Sequence, residues 1–211
     1  MSFIDRSDAG RQLALAPEKY RGKDIVVLAL PRGGVPVAVE VAKHLDAPLG
    51  VLLVRKIGLP NRPEVAMGAI VDGSEPITVR NEEIIRLAQV SPTEFDTLRQ
   101  RELAEIARRR RTYLVERCLQ DASGRVAIIV DDGIATGATM LAAVRGLRQR
   151  KPDKIIIAVP VAPSDELPRL KAAADDVVCL EIPPVFNAVS LQYENFPQLT
   201  DAEVVELLER C

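Results

Sequence analysis

Asp131 and Asp132 stand side by side at the end of the apolar run Val126-Ala-Ile-Ile-Val130, and behind them comes Gly133-Ile134-Ala135-Thr136-Gly137-Ala138-Thr139. The residue types define what chemistry is open to this stretch. Small residues let a backbone approach a ligand closely, and free N–H groups at the start of a helix favour an anion, most often a phosphate. Two carboxylates would repel a phosphate beside them, yet they bind sugar hydroxyls or a metal. Together they suggest a phosphorylated sugar. The bland alternative is a strand, a turn and a helix capped by Thr136 or Thr139. It leaves paired acids at a buried strand end with no salt partner nearby in sequence, which is costly.

Two further stretches carry charge to ends of apolar runs. Pro31-Arg32-Gly33-Gly34 separates a predicted strand over 24–30 from a predicted helix over 35–45, which makes a second anion cup with an arginine in it. Arg55-Lys56 follows the apolar run 49–54. Adjacent cations there serve solubility in the plain reading. In a parallel sheet, however, all carboxyl ends face one way, and these cations then lie near both cups.

Positioning such groups requires a strand–helix rhythm, and the chain has one. After the central motif come a helix over 141–150, a strand over 154–161, a short helix capped by Ser164 and running to 174, and a strand over 176–182. The pattern predicts an α/β fold: a mostly parallel twisted sheet with helices on both faces. Residues 66–71 and 77–79, joined through Asp72-Gly73-Ser74, read as a hairpin whose second strand, after Pro76, is an edge. Residues 81–90 read as a helix. Ser91-Pro92-Thr93-Glu94 reads as a capping box opening a helix to about Gln120, with Phe95, Leu98, Ile106, Tyr113 and Leu119 on its apolar side. Arg108 to Arg111 ride on it; pairs such as Glu105 with Arg109 are the bland reading, and an RNA or polyphosphate contact is the remoter one. Ser7 or Asp8 caps a first, outer helix that Pro17 ends. The aromatic residues after Pro183 either stack on a planar base or pin the tail, and pinning is the favoured reading. Thr200-Asp-Ala-Glu203 caps a last helix. The boundaries are one domain over 1–211, with a core of about 22–80 and 124–182, a helical insertion of about 81–121, and a hood from about 1–20 and 183–211.

Composition excludes several classes. Of 211 residues 47% are apolar, enough for a sizeable core, but only 3% are aromatic, so that core is aliphatic. A net charge of -2 gives no global pull toward nucleic acid or membranes. No run of about 18 apolar residues and no leader pattern is seen, so neither a spanning helix nor a secretory signal is expected. Cys118, Cys179 and Cys211 lack CxxC spacing and read as free thiols in a reducing cytoplasm. His44 is the only histidine and falls at a helix end, which argues against His-based nucleophilic schemes.

The central motif resembles the donor-binding motif of the type I phosphoribosyltransferases, which bind 5-phosphoribosyl-1-pyrophosphate (PRPP). The chain is most similar to a bacterial group of phosphoribosyltransferases of unassigned acceptor. That similarity extends through Asp5-Arg6 with Ala9-Gly10, Leu30-Pro-Arg-Gly-Gly34, Val54-Arg-Lys56, Met67-Gly-Ala-Ile70, Val159-Pro-Val-Ala162 and the ending 186–204. The resemblance implies that Asp131 and Asp132, the catalytic pair, hold the ribose 2- and 3-hydroxyls. Gly133, Ile134, Ala135, Thr136, Gly137, Ala138 and Thr139 would hold the 5-phosphate, and Arg32, Gly33, Gly34, Arg55 and Lys56 the pyrophosphate. If the tail aromatics stack on a base rather than pin the tail, Phe186 and Tyr193 are the residues that would meet the acceptor. Mg²⁺ would be bound through PRPP and waters, with no direct protein ligand. Family members close a basic loop over PRPP where this chain has its long helical insertion, so the arginine that reaches the site is left open. The implied reaction is transfer of phosphoribosyl to a nitrogen acceptor with release of pyrophosphate. The rival is a non-catalytic PRPP or nucleotide sensor on the same fold, touching RNA or a protein through the arginine helix. Membrane and nucleic-acid partners are not expected; a homodimer is, from family habit and the amphipathic long helix.

Overall fold

The computed structural model describes residues 3–73, 75–113 and 120–209. Cys118, Leu119, Cys211 and the turn residue Ser74 lie outside the described residues.

Five strands make one parallel sheet: β1 (Ile25–Ala29), β2 (Leu49–Val51), β6 (Val126–Val130), β7 (Lys154–Val161) and β8 (Asp176–Glu181), in the order β2-β1-β6-β7-β8. β6 lies at the centre with all five residues buried, because its β-branched apolar run has no side that tolerates water. Side chains alternate across it. Val126, Ile128 and Val130 join the core beneath α2 (Gly34–Leu45) and α7 (Asp201–Glu209), whereas Ala127 and Ile129 join the core beneath α5 (Ala138–Arg148) and α6 (Leu167–Ala173). The sheet is thus covered on both faces, as expected. Ile128→Ala is expected to cost about 2–5 kcal/mol, read as a lower urea midpoint at unchanged slope.

The run 49–54 is not one strand. β2 stops at Val51, and the chain re-enters as β3 (Val54–Leu59), which pairs antiparallel with β4 (Arg62–Val71); β4 in turn pairs with β5 (Ile77–Arg80). The expected hairpin is therefore two-thirds of a separate three-stranded sheet with β5 at its edge. The turn at Pro60-Asn61 allows the extra pairing, and a register shift at Gly58 brings its backbone against Pro63.

Helix α3 (Glu82–Leu87) is capped by the Asn81 side chain. The capping box then opens α4 (Pro92–Tyr113): Ser91 Oγ accepts from the Glu94 N–H at 3.2 Å, and the Glu94 carboxylate accepts from the Ser91 N–H at 3.0 Å. Phe95, Ile106 and Tyr113 are its buried residues, so α4 packs on one side. Of the expected continuation, 114–119 fall outside the described residues and Gln120 is not helical. Thr200 and Glu203 form the second box at α7.

Three other caps differ from expectation. Asp5, not Ser7 or Asp8, caps α1 (Arg6–Ala14), its Oδ1 accepting from the Asp8 N–H at 2.8 Å. Ser164 does not cap α6, which begins at Leu167 with proline in its first turn and no side-chain cap. Neither Thr136 nor Thr139 caps α5; the cap position is Gly137, whose left-handed φ of 66° suits glycine. Among the described residues no helix is long and apolar enough to cross a membrane.

Candidate functional site

Parallel pairing brings the two glycine-bearing loops together. Ala29 is registered against Val130, and the Leu30 N–H continues the ladder to the Val130 carbonyl at 2.9 Å. Each strand then turns into a helix, so the N-termini of α2 and α5 open at one edge of the sheet. The first-turn N–H groups of a helix have no partner within it. Pro31-Arg32-Gly33-Gly34, with a cis Pro31–Arg32 peptide, lies directly on the acid pair. A Cβ on Gly33 would overlap the Asp132 carboxylate, and one on Gly34 would stand 2.6 Å from the Val130 carbonyl oxygen. Both glycines are thus required by contact with the second loop.

The acids are a coupled pair. Asp131 Oδ1 accepts from the Asp132 N–H at 2.9 Å. Burial, then the neighbouring Asp132 charge, pushes the Asp131 carboxyl well above the usual carboxylate range. Burial raises Asp132 as well, but Arg6 opposes this. Arg6 Nε donates to Asp132 Oδ2 at 2.7 Å, and side-chain exposure is only 10% for Arg6 and 15% for Asp132. The missing salt partner is therefore present, 126 residues away in sequence. The first helix, expected to be merely an outer one, delivers it.

The phosphate-type cup is partly committed to the fold. The Ile134 side chain is buried in the core under α5, and its N–H is taken by the Val161 carbonyl at 2.9 Å. Ile134 thus anchors the loop, leaving the backbone after it for an anion. Glu166 lies against Gly137 and is paired with Arg169 at 2.9 Å, which offsets its charge there.

The expected cations are placed unevenly. Arg32 faces Asp201 at the start of α7, at 3.6 Å. Arg55 is not at the end of a sheet strand but within β3, paired with Glu102 of α4 at 2.7 Å. Lys56, beside it, is exposed and has no ion pair among the described residues. Within the arginine run, Arg108 and Arg109 both pair with Glu105, whose carboxyl they pull down to about 2, and Arg110 faces Asp72 at 3.9 Å. The plain reading of that run holds for Arg108 and Arg109. What connects α4 to the site is Tyr113, hydrogen-bonded to the same Asp201 that faces Arg32. Burial and that carboxylate push the Tyr113 hydroxyl up to about 12.

Tyr193 pins the tail. It is 3% exposed, its ring lies 5.4 Å from Phe3 and 4.9 Å from Phe196, and its hydroxyl donates to the Asp132 carbonyl at 2.5 Å. Phe186 is half-buried. Among the described residues no three Asp, Glu, His or Cys side chains gather as a metal cage.

Comparison with known proteins bears on this arrangement. The profile of the phosphoribosyl transferase domain matches residues 10–194. Two curated Mycobacterium tuberculosis proteins, from strains CDC 1551 and H37Rv and named provisionally as phosphoribosyl transferases, are each 48% identical over 209 residues. The match takes in 99% of this chain and 47% of theirs, so the chain spans about half the length of those relatives. The crystal structure of TT1426 from Thermus thermophilus is similar at 40% identity and a TM-score of 0.83, covering 100% of this chain and 99% of that one. The profile, the sequence relatives and the shared fold agree: the chain belongs to the phosphoribosyl transferase domain family.

Proposed function

We propose that the chain binds PRPP and, with Mg²⁺, transfers its phosphoribosyl group to a nitrogen acceptor, releasing pyrophosphate. The observation that carries this is the packing of Gly33 and Gly34 against Asp131 and Asp132, which places an acid pair between two helix N-termini. One terminus suits the 5-phosphate, along Ala135 to Thr139. The other suits the pyrophosphate, and the acids between them suit the ribose hydroxyls. A cleft with that sequence of charges is poorly matched to a simple phosphate or to a neutral sugar.

The chain's own groups act by placement. Asp131 and Asp132 orient the ribose and stabilise positive charge developing at its C1 carbon as the pyrophosphate leaves. Arg32 can reach the leaving group only by releasing Asp201, whereas Lys56 has no ion pair among the described residues to give up. The donor set fits Mg²⁺ carried on substrate oxygens: two adjacent carboxylates, with no third acid beside them among the described residues, suit an ion that keeps most of its waters. When bound, it would supply charge neutralisation on the pyrophosphate. Burial pushes the free thiol of Cys179 up to about 11.

Calorimetry with PRPP and Mg²⁺ should give one site per chain, and PRPP should slow hydrogen exchange at 31–34 and 135–139. Pyrophosphate release should then appear with at least one nitrogenous base. Binding without release from any acceptor would favour the sensor; no binding at all would end both readings.

A further inference from the structure

Arg6 is tied to three parts of the molecule at once. Its Nε donates to Asp132, its Nη1 donates to the Pro197 carbonyl at 2.8 Å, and its guanidinium lies 3.7 Å above the Phe196 ring. Pro197 and Phe196 belong to the C-terminal tail, and Arg6 opens the first helix. Around it the two chain ends are laced together: the Phe3 N–H bonds to the Gln192 carbonyl, and the Glu194 and Asn195 N–H groups bond back to the Phe3 and Ile4 carbonyls, at 2.9–3.1 Å. Tyr193 from the same tail holds the Asp132 carbonyl. Asp132 is therefore gripped twice, by its carboxylate from the N-terminal helix and by its backbone from the tail.

We propose that Arg6 is a positioning residue for the donor site: it holds the Asp132 carboxylate in one orientation and makes that orientation depend on the Phe196–Pro197 tail. The proposal rests on the acid pair being the ribose-binding pair.

Geometry requires something of this kind. Asp132 Oδ2 lies against Gly33, so the carboxylate cannot swing toward the glycine loop. Two carboxylates in contact and largely removed from water do not both ionise unless a cation intervenes. The titratable groups facing Asp132 are Asp131 from its own loop, Arg6 from α1 and Tyr193 from the tail, whose hydroxyl burial pushes far up. Arg6 is the cation among them. It bonds Asp132 rather than Asp131, so Asp132 is the member of the pair that faces a cation directly. The stacked, planar guanidinium is also what lets one side chain serve a carboxylate and a carbonyl together. Lysine could replace its charge but not its fork.

The test compares wild type, Arg6→Gln, Arg6→Lys and Phe196→Ala. In ligand-free protein, carbon-detected NMR of the aspartate carboxyls should show Asp132 titrating at higher pH in Arg6→Gln, and near its wild-type value in Arg6→Lys. The PRPP dissociation constant should rise by at least about tenfold in Arg6→Gln, with its acid limb moved to higher pH, and less in Arg6→Lys. Phe196→Ala, which keeps the charge and loosens the tail, should weaken PRPP binding with a smaller shift of that limb. Should Arg6→Gln fail to fold, Arg6→Lys and Phe196→Ala carry the test alone. An unshifted Asp132 titration in folded Arg6→Gln, or a Phe196→Ala protein that binds PRPP like wild type, would overturn the proposal. Wild-type protein that binds no PRPP, with the Asp132 titration still shifted by Arg6→Gln, would remove the donor reading and leave the Arg6–Asp132 pairing intact.

Discussion

Asp131→Asn is expected to weaken PRPP binding by about 10- to 100-fold and, in the ligand-free protein, to raise stability at neutral and alkaline pH. The first effect is loss of a carboxyl aimed at a ribose hydroxyl. The second follows from linkage. Burial and the Asp132 charge raise the folded-state pKa of Asp131, so the folded protein holds that proton more tightly than the unfolded chain, where aspartate titrates near about 3.9. Stability from this group is therefore present at acid pH and is lost as pH rises from the unfolded value through the folded one. Asparagine has no such loss. The difference in Tm between variant and wild type should grow between pH 4.5 and pH 8, while calorimetry shows the weakened donor. A Tm difference that does not change with pH would rule out a raised Asp131.

Gly33→Ala is expected to abolish measurable PRPP binding and to destabilise the fold by about 1–3 kcal/mol. The added methyl would overlap the Asp132 carboxylate, so it must displace either the acid, and with it the Arg6 ion pair, or the turn after β1. Both movements spoil the space between the two loops. Gly22→Ala is the control: its backbone is in the left-handed region at φ 79° with nothing near the new methyl, so it strains the chain without touching the site. It should lower Tm and leave PRPP affinity unchanged. Equal loss of affinity in both variants would show that destabilisation, not contact with Asp132, is responsible.

The loop-bearing strands were legible because their signals are local. A five-residue apolar run with four β-branched members reads as a covered strand, and acids followed by small residues read as its end. The division at Leu52-Leu53 was not legible: the apolar run continues through it, and only the Pro60-Asn61 turn hints that the chain doubles back as β3. Arg55 looked like a strand-end cation for that reason. The threonines looked like caps because their types suit the role, whereas the backbone turns through Gly137 and starts the helix one residue later. Arg6 was the largest omission. Nothing within its own helix marks it as functional, since its partners Asp132 and Pro197 lie 126 and 191 residues away. Its one trace was the Asp5-Arg6 opening shared with the resembling group. Tyr113, an apolar-face residue by periodicity, gave no sign that its hydroxyl would find Asp201.

The lacing of residues 3–6 to 192–197 has a consequence for biosynthesis. The parallel sheet can form once β8 has left the ribosome, and domains generally fold as their chains emerge, at about 5–20 residues per second. Asp132 would by then sit at the end of β6 with Arg6 still lacking Phe196 and Pro197. Tyr193, which grips the Asp132 carbonyl, is translated some sixty residues after it. A translational pause before residue 193 would therefore leave Arg6 and Asp132 without their partners from the tail.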